Sequence, residues 1–302
     1  MNFTAKDVQS LREKTGCGMM DCKKALVETD GNMDAAVDYL REKGLASQAK
    51  KASRVAAEGT VVAIAENGVG VVIEVNTETD FVASNDEFKA FALKAAKAVA
   101  ASNPADVEAL LATTYEGATI DEAKQEIFLK FRENIQVRRF ARTEGKVVTY
   151  VHAGGKIGVM VTFDTDVAES DAFVAMGKNV AMQIAAMNPS YLDQASVPAE
   201  VIAKEKDILV SQMKEDPKMA NKPDAVLGKI VEGKIGKYYK ENCLVEQQYV
   251  IDGDLTVGKY VENTAKELGG SVKIASFVRF EKGEGIEKRE DNFAEEIANM
   301  VK

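Results

Sequence analysis

The segment Asn76-Thr-Glu-Thr-Asp-Phe-Val-Ala-Ser-Asn-Asp-Glu87 decides the fold, because it joins an apolar strand to an amphipathic helix in a unit that occurs twice. The first strand is Val69-Gly-Val-Val-Ile-Glu-Val75, and the second is Ile157-Gly-Val-Met-Val-Thr-Phe163, 88 positions later. The helices after the strands align at an offset of 85, from Phe88 to Phe173, so the first connector is three residues longer. We expect these extra residues to expose Thr79-Asp80-Phe81.

The rest of each repeat predicts an antiparallel sheet with a helical layer. The first repeat opens with Thr60-Val-Val-Ala-Ile64 and turns at Asn67-Gly68, a pair that favours a tight hairpin because both positions need positive φ. It closes at Arg139-Phe140, and the second repeat closes at the matching Arg279-Phe280. We therefore predict an α+β fold with two related subdomains.

A three-helix bundle is predicted ahead of the repeats. It begins at Thr4-Ala-Lys-Asp7, which has the form of a helix start, and its third helix is expected to end at Gly44. The two methionines between its short helices, Met19 and Met20, have two interpretations that the pattern leaves open. They either fill the core or form an adaptable contact surface.

The second repeat also contains an insertion of 55 residues, around Pro198 to Asp254. Its two helical runs predict an antiparallel hairpin, which should pack on the body of the protein or on a second subunit. The apolar residues expected to face each other across this hairpin are Val201, Ile208, Leu209, Val226, Leu227, Ile230 and Tyr238.

These patterns divide the chain into five predicted segments. They are a three-helix bundle (1–55), the first repeat (56–145), the second repeat (146–197 and 255–285), the inserted hairpin (198–254) and a C-terminal helical module (286–302).

Composition excludes several classes of function. With 39 Lys and Arg against 48 Asp and Glu, the net charge of −9 argues against a nucleic-acid partner, which would require a basic face. The sequence has no apolar run near the ~20 residues of a membrane span. It also has no leader pattern, and its three cysteines fit a reducing cytoplasm, where we expect the protein.

The residues that could carry chemistry are few. Cys17 and Cys22 are expected to be small buried thiols rather than metal ligands, and we expect no metal site and no cofactor. His152 is the single histidine, and no serine motif or acidic partner at motif spacing accompanies it. The pattern is typical of a binding protein rather than an enzyme.

Phe81 has two interpretations. A phenylalanine on a polar connector either folds back onto its own core or inserts into a pocket of a partner. The shorter connector of the second repeat, with Ala168-Glu169 in this region, favours insertion.

Three long segments resemble the bacterial translation elongation factor Ts family. They are Leu11-Arg-Glu-Lys-Thr-Gly-Cys-Gly-Met-Met-Asp-Cys-Lys-Lys-Ala-Leu26, Glu74-Val-Asn-Thr-Glu-Thr-Asp-Phe-Val82 and the stretch from Phe280 to Lys288. The resemblance covers essentially the whole chain. It implies a guanine nucleotide exchange factor without covalent chemistry, whose partner is elongation factor Tu in its GDP-bound and nucleotide-free states.

The same resemblance assigns roles to individual residues. It implies a ubiquitin-associated-like bundle that docks on the partner's nucleotide-binding domain, a connector that intrudes beside the partner's magnesium site, and a contact near His152. Some family members dimerise through the hairpin, which leaves a homodimer open here. The residues implied in partner contacts are Arg12, Met19 and Met20 in the bundle, Thr79, Asp80, Phe81 and Val82 in the connector, and His152.

Two rival functions belong to other classes. One is a polypeptide-binding adaptor that acts through the bundle alone, and the other is an enzyme that uses His152 or Cys22.

Overall fold

The computed structural model describes residues 3–15, 17–216 and 222–287. Its α-helices are α1 Ala5–Thr15, α2 Met19–Glu28, α3 Met33–Lys51, α4 Asp80–Ser84, α5 Asp86–Ser102, α6 Val107–Ala112, α7 Ile120–Phe131, α8 Asp171–Met187, α9 Ala199–Glu215, α10 Asp224–Asn242 and α11 Val257–Glu267. Its strands are β1 Glu58–Glu66, β2 Val69–Thr77, β3 Thr114–Tyr115, β4 Ala118–Thr119, β5 Gln136–Glu144, β6 Lys146–His152, β7 Ile157–Thr165 and β8 Val272–Glu281. The predicted α+β class is confirmed.

The N-terminal bundle forms as its start signal predicts. The Asp7 carboxylate accepts from the backbone N–H of Thr4 at 2.7 Å, and the Thr4 hydroxyl accepts from the Asp7 N–H at 3.3 Å. These reciprocal bonds satisfy free N–H groups at the start of α1. The bundle core includes Leu11 and Leu26 together with the buried thiols of Cys17 and Cys22.

The expected end of α3 at Gly44 is wrong, because the helix continues to Lys51. A Cβ placed on Gly44 would lie less than 3.0 Å from the Leu129 side chain of α7. The glycine therefore serves the close approach of two helices rather than the termination of one. A glycine inside a helical pattern is compatible with either role, so the pattern could not separate them.

Two three-stranded antiparallel sheets form the body, in the orders β1-β2-β5 and β6-β7-β8. The β1–β2 turn has φ values of 53° at Asn67 and 76° at Gly68, as this dipeptide predicts. Helix α5 packs on the first sheet and α8 packs on the second. The other faces of the two sheets meet, which gives four layers in the order helix, sheet, sheet, helix.

The central strands are buried on both faces, which explains their continuous apolar sequence. In β2, Val71 and Ile73 face α5, whereas Val72 packs with Met160 of β7 in the core between the sheets. A Cβ on Gly158 would lie less than 3.0 Å from Val61 of the opposite sheet. A glycine at this point therefore lets the two sheets approach each other closely.

The structure confirms that the two units are repeats. Both central strands shift register at matching positions, between Glu74 and Val75 in β2 and between Thr162 and Phe163 in β7. Both main helices end in a left-handed asparagine, with φ 47° at Asn103 and 44° at Asn188. The first connector runs from 78 to 85 and the second from 166 to 170, so the first is longer by three residues, as predicted.

A buried carboxylate joins the two repeats. The side chain of Glu74 is 0% exposed, and it accepts from the Gly283 N–H of the other repeat at 2.7 Å. It also pairs with Arg138 at 3.0 Å and Arg139 at 2.7 Å. Burial by itself would raise the pKa of Glu74, but bonds from Gly283, Asn76 and the two arginines outweigh it and hold the pKa below its ordinary value.

The inserted segment forms the predicted hairpin, from α9 and α10, but its contact face is partly wrong. The buried residues are Leu209, Met213, Val231 and Ile235, whereas Ile208 and Val226 are exposed. Val201 and Tyr238 also lie outside this cluster, while Leu227 and Ile230 pack at its edge, as expected. Two helices that pack at a crossing angle each bury a narrow stripe of side chains. Helical spacing in the sequence predicts the position of this stripe only to within about one residue.

Besides the short helix α4 within the first connector, three elements have no counterpart in the sequence-based expectations. They are β3, β4 and α11. The first two form a short hairpin, and α11 packs against the second sheet. The C-terminal amphipathic helix predicted from Asp291 to Lys302 lies outside the described residues. Within the described part of the chain, no helix is long and apolar enough to cross a membrane.

Candidate functional site: an exposed turn beside the helical bundle

The longer connector, residues 78–85, forms a projecting turn around the short helix α4. The Thr79 hydroxyl caps this helix by accepting from the Val82 N–H at 3.4 Å. Val82 is buried in the core of the first sheet and anchors the helix to it, and the adjacent Ala83 is buried as well. Phe81 points the other way and is 83% exposed.

The four connector residues implied in partner contact therefore divide into two pairs. Asp80 and Phe81 are exposed, whereas Thr79 is half-buried and Val82 is 7% exposed. The structure contradicts the interpretation that Phe81 folds back onto its own core. The Phe81 ring is large, apolar and exposed, and the helix that carries it is anchored in the core. An aromatic side chain presented in this way can enter a pocket of a partner protein.

The base of the projecting turn is held by Glu133, which follows α7. Its Oε2 accepts from the Thr77 hydroxyl at 2.7 Å, the Glu78 N–H at 3.1 Å and the Thr79 N–H at 3.0 Å. Its Oε1 accepts from the Thr79 hydroxyl at 2.6 Å. No local signal in the sequence points to Glu133, because its partners lie more than 50 positions earlier.

The next residue, Asn134, extends the same support. Its N–H donates to the Glu78 carboxylate at 2.7 Å, and its side-chain amide donates to the carbonyl groups of Ala52 at 3.2 Å and Arg54 at 2.8 Å. The segment Arg132–Asn134 thus touches both the projecting turn and the end of the bundle.

Arg12, Met19 and Met20 are all exposed on the bundle, Met19 by 44% and Met20 by 72%. Arg12 and Met19 line one shallow cavity together with Lys130 of α7. Beside the methionines, Asp21 forms an ion pair with Arg132 at 2.8 Å. This exposure favours the contact-surface interpretation of the methionines over core filling.

The bundle and the projecting turn therefore share one support. Arg132 binds Asp21 at the start of α2, and the adjacent Glu133 binds the base of the turn. Lys130, near the end of α7 and two residues before Arg132, also forms an ion pair with Glu87 in the first turn of α5. The exposed methionines of the bundle and the exposed Phe81 of the turn, which are distant in sequence, are thus supported by consecutive residues of one segment.

His152 lies at the exposed end of β6, in the second sheet. Its Nδ1 lies 2.9 Å from the Tyr150 hydroxyl, two residues earlier on the same strand. The adjoining β6–β7 turn accepts a hydrogen bond from the Val61 N–H at the Gly155 carbonyl, at 2.8 Å. His152 thus lies on the second repeat, apart from the segment that supports the projecting turn.

The thiols are poor candidates for chemistry. Burial raises the pKa of Cys22, and burial followed by the nearby Glu246 and Asp193 raises the pKa of Cys243 to about 11. A thiol that stays protonated at neutral pH is a weak nucleophile and metal ligand. Among the described residues, no group of three or more His, Cys, Asp or Glu side chains could hold a metal ion.

The fold and the exposed groups define a protein-binding factor, since apolar side chains stand on well-supported positions. A family model described as Elongation factor TS matches residues 78–284. Proteins named Elongation factor Ts from Syntrophotalea carbinolica and Clostridium perfringens are each 50% identical to the chain, with 100% and 99% of both sequences covered. One from Clostridioides difficile is 48% identical and covers 100% of this chain and 99% of its own.

The chain therefore belongs to the elongation factor Ts family. Membership of this family implies a nucleotide exchange factor for elongation factor Tu. The matched range contains the projecting turn and lies outside the three-helix bundle. The adaptor hypothesis, which rests on the bundle alone, leaves this match unexplained.

Proposed function

We propose that this protein accelerates GDP release from elongation factor Tu by inserting Phe81 beside the partner's magnesium site. The observation that carries the proposal is the 83% exposure of Phe81 on a turn that is fastened to the core and to Glu133. Exposure of a phenylalanine side chain to water is unfavourable, so burying it against a partner stabilises the complex by a few kcal/mol. Asp80 accompanies it as an exposed carboxylate on the same short helix.

The mechanism follows from linkage. The protein binds the partner better without GDP and Mg²⁺ than with them, so it weakens nucleotide binding by the same factor by which nucleotide weakens its own binding. Insertion of Phe81 displaces partner side chains that hold the water shell of the magnesium ion. Loss of this ion removes charge compensation from the phosphates, so GDP leaves faster, GTP rebinds and the factor dissociates.

The test is stopped-flow release of fluorescent GDP from purified elongation factor Tu with the wild type and with Phe81→Ala. Removing the ring should cost about 2 kcal/mol of differential binding, or roughly 30-fold in the rate of release. Leu93→Ala, which shortens another exposed apolar side chain on α5, is the matched control and should behave like the wild type. No acceleration by the wild type would refute the exchange function, and equal rates for Phe81→Ala would refute the role of Phe81.

We also propose that Arg12, Met19 and Met20 dock on the nucleotide-binding domain of the partner, and that His152 contacts another of its domains. The exposure of all four residues supports this assignment. Met20→Ala should weaken the complex and leave the rate of GDP release at saturating factor unchanged, as measured by titration. Weaker binding with a reduced saturating rate would instead place Met20 in the exchange step.

The proposed segments have separate roles under this function. Residues 1–55 dock, 56–145 carry the projecting turn, 146–197 with 255–285 carry a second contact at His152, and 286–302 add a further docking module. Residues 198–254 form the hairpin, which supports self-association in this proposal, and sedimentation over a range of concentrations tests it. The function places the protein in the cytoplasm, with no nucleic-acid partner and no cofactor of its own.

A further inference from the structure

The projecting turn poses a structural problem that the rest of the chain must solve. Where β2 ends and α4 begins, the N–H groups of Glu78 and Thr79 leave the strand ladder before any helical bond forms. A half-buried N–H without a partner is costly, and a connector of this length has many alternative conformations. Some group outside the connector therefore has to select one conformation.

Glu133 supplies all of the required acceptors from one side chain. One of its carboxylate oxygens accepts from both N–H groups and from the Thr77 hydroxyl, at 3.1, 3.0 and 2.7 Å, and the other accepts from the Thr79 hydroxyl at 2.6 Å. An ionised carboxylate offers acceptors only, and bonds to a charged acceptor are stronger than neutral ones. The three consecutive residues 77–79 are thus bound at a single point.

The bonds from residues 77–79 to Glu133 also determine the orientation of Phe81. Thr79, bound twice by Glu133, is also the residue whose hydroxyl caps α4. Phe81 lies in the first turn of that helix, so its direction follows the position of Thr79. On the opposite side of α4, Val82 is buried in the core and anchors the helix at one point. The cap at Thr79 is the second point, and the two contacts together fix the orientation of the helix.

In the second repeat, the connector is held by a different contact. This shorter connector carries the carboxylate itself, on Asp166, and accepts the Ser271 N–H at 2.7 Å. That connector leads straight into α8, without a short helix in between. A carboxylate from the segment between α7 and β5 therefore holds the connector in the repeat that has an aromatic side chain to present.

We propose that Glu133 is a positioning residue for nucleotide exchange: it holds residues 77–79 so that Phe81 is presented in the orientation that the partner's pocket requires. The inference rests on the proposed function of Phe81. Glu133 acts through the projecting turn, and its removal affects exchange only to the extent that Phe81 is misplaced.

The experiment is a double-mutant cycle of Glu133→Ala and Phe81→Ala in the full chain, with release of fluorescent GDP from elongation factor Tu as the readout. Glu133→Ala should slow release about tenfold, and the double variant should be no slower than Phe81→Ala, because both changes disable the same group. Asp166→Ala breaks the comparable bond in the second repeat, and we expect its rate to stay within about twofold of the wild type.

Two further variants keep the test independent of folding. Glu133→Gln preserves the size of the side chain and one acceptor oxygen, which can still accept from the Thr77 hydroxyl and the two N–H groups, but it loses the acceptor for the Thr79 hydroxyl. It should therefore recover part of the rate that Glu133→Ala loses. Thr77→Val removes one donor to Glu133 from a fully buried position without changing the shape, and should slow release about threefold. Circular dichroism melting checks that each variant is folded.

The outcomes separate the two proposals. Absence of acceleration by the wild type would overturn the exchange function itself. Acceleration by the wild type with an unchanged rate for Glu133→Ala and Thr77→Val would overturn the positioning role alone. Additive losses in the double variant, or an equal loss in Asp166→Ala, would assign Glu133 a general structural role and likewise overturn it.

Discussion

The buried Glu74 leads to a specific prediction about stability, because its carboxylate accepts a hydrogen bond across the junction of the two repeats. Glu74→Gln keeps the volume of the side chain and removes its charge. The carboxylate accepts from Gly283 at 2.7 Å, from Arg139 at 2.7 Å and from Arg138 at 3.0 Å. Glutamine cannot accept from all of these donors, and each bond to a charged group is worth about 1.5–3 kcal/mol.

The expected loss is smaller than the sum of these bonds. Desolvation of a buried charge opposes them, and the two arginines are 26% and 31% exposed, so water can solvate them in the variant. We expect Glu74→Gln to lower the free energy of unfolding by about 2–3 kcal/mol at neutral pH. The control is Glu284→Gln, which removes a half-exposed partner of the same Arg139 and should cost less than about 1 kcal/mol.

The pH dependence gives the sharper test. The folded-state pKa of Glu74 lies below the ordinary value of 4.5, so the ionised form stabilises the fold. This contribution is fully present above pH 4.5 and is lost as the pH falls through the lower folded-state pKa. The difference between wild type and Glu74→Gln should therefore be full at about pH 7 and shrink toward about pH 3.

The assay is urea denaturation followed by circular dichroism, since guanidinium chloride would screen the ion pairs. The slopes of free energy against urea should agree between the variants, which would show that the same surface is exposed on unfolding. A difference that stays constant between about pH 3 and pH 7 would refute the reasoning, because the loss would not come from the ionised carboxylate.

Three further predictions concern local packing. Gly44→Ala should lower stability by about 1 kcal/mol, because the crowding of Leu129 outweighs the gain in helix propensity; a more stable variant in urea denaturation would contradict the close approach of α3 and α7. Thr119→Ala removes the hydroxyl that accepts from the Glu122 N–H in the capping box, whereas the Glu122 carboxylate keeps its bond to the backbone N–H of residue 119. The loss should cost about 1 kcal/mol by thermal unfolding, so an unchanged melting temperature would argue against it. Leu209→Ala should lower the free energy of opening of the hairpin amides, measured by hydrogen exchange, by about 2 kcal/mol and leave the amides of the two sheets unaffected. An equal decrease in the hairpin and in the sheets would show that the hairpin is not an independent cluster.

Much of the fold was predictable because its signals are local. The Asn67-Gly68 turn, the strands around Gly70 and Gly158 and the helices after them follow from residues that are close in sequence. The duplication added a comparison between two copies, and it located the three extra residues of the first connector. These predictions did not depend on which parts of the chain meet in space.

Other expectations failed where a contact between distant elements decided the outcome. Gly44 was expected to end α3, but its meeting with Leu129 of α7 explains the glycine instead. In the hairpin, Leu209 is buried as expected, but Ile208 and Val226 are exposed, and Met213 and Val231 are buried instead. Helical spacing predicts that a face exists, but the crossing of two helices determines which residues lie on it.

The candidate site shows the same division. Comparison of the two connectors singled out Asp80 and Phe81, the pattern of short helices singled out Met19 and Met20 as a candidate contact surface, and the family resemblance assigned these residues to partner contacts. By itself, the sequence determined the duplicated architecture, the longer connector and the family, because these are properties of neighbouring residues. Only the tertiary structure decided that Phe81 is exposed, that Val82 is buried and that Glu133 and Arg132 support the turn and the bundle together. Hydrogen bonds and ion pairs between residues more than 50 positions apart leave no periodic trace along the chain, so the folded protein alone reveals them.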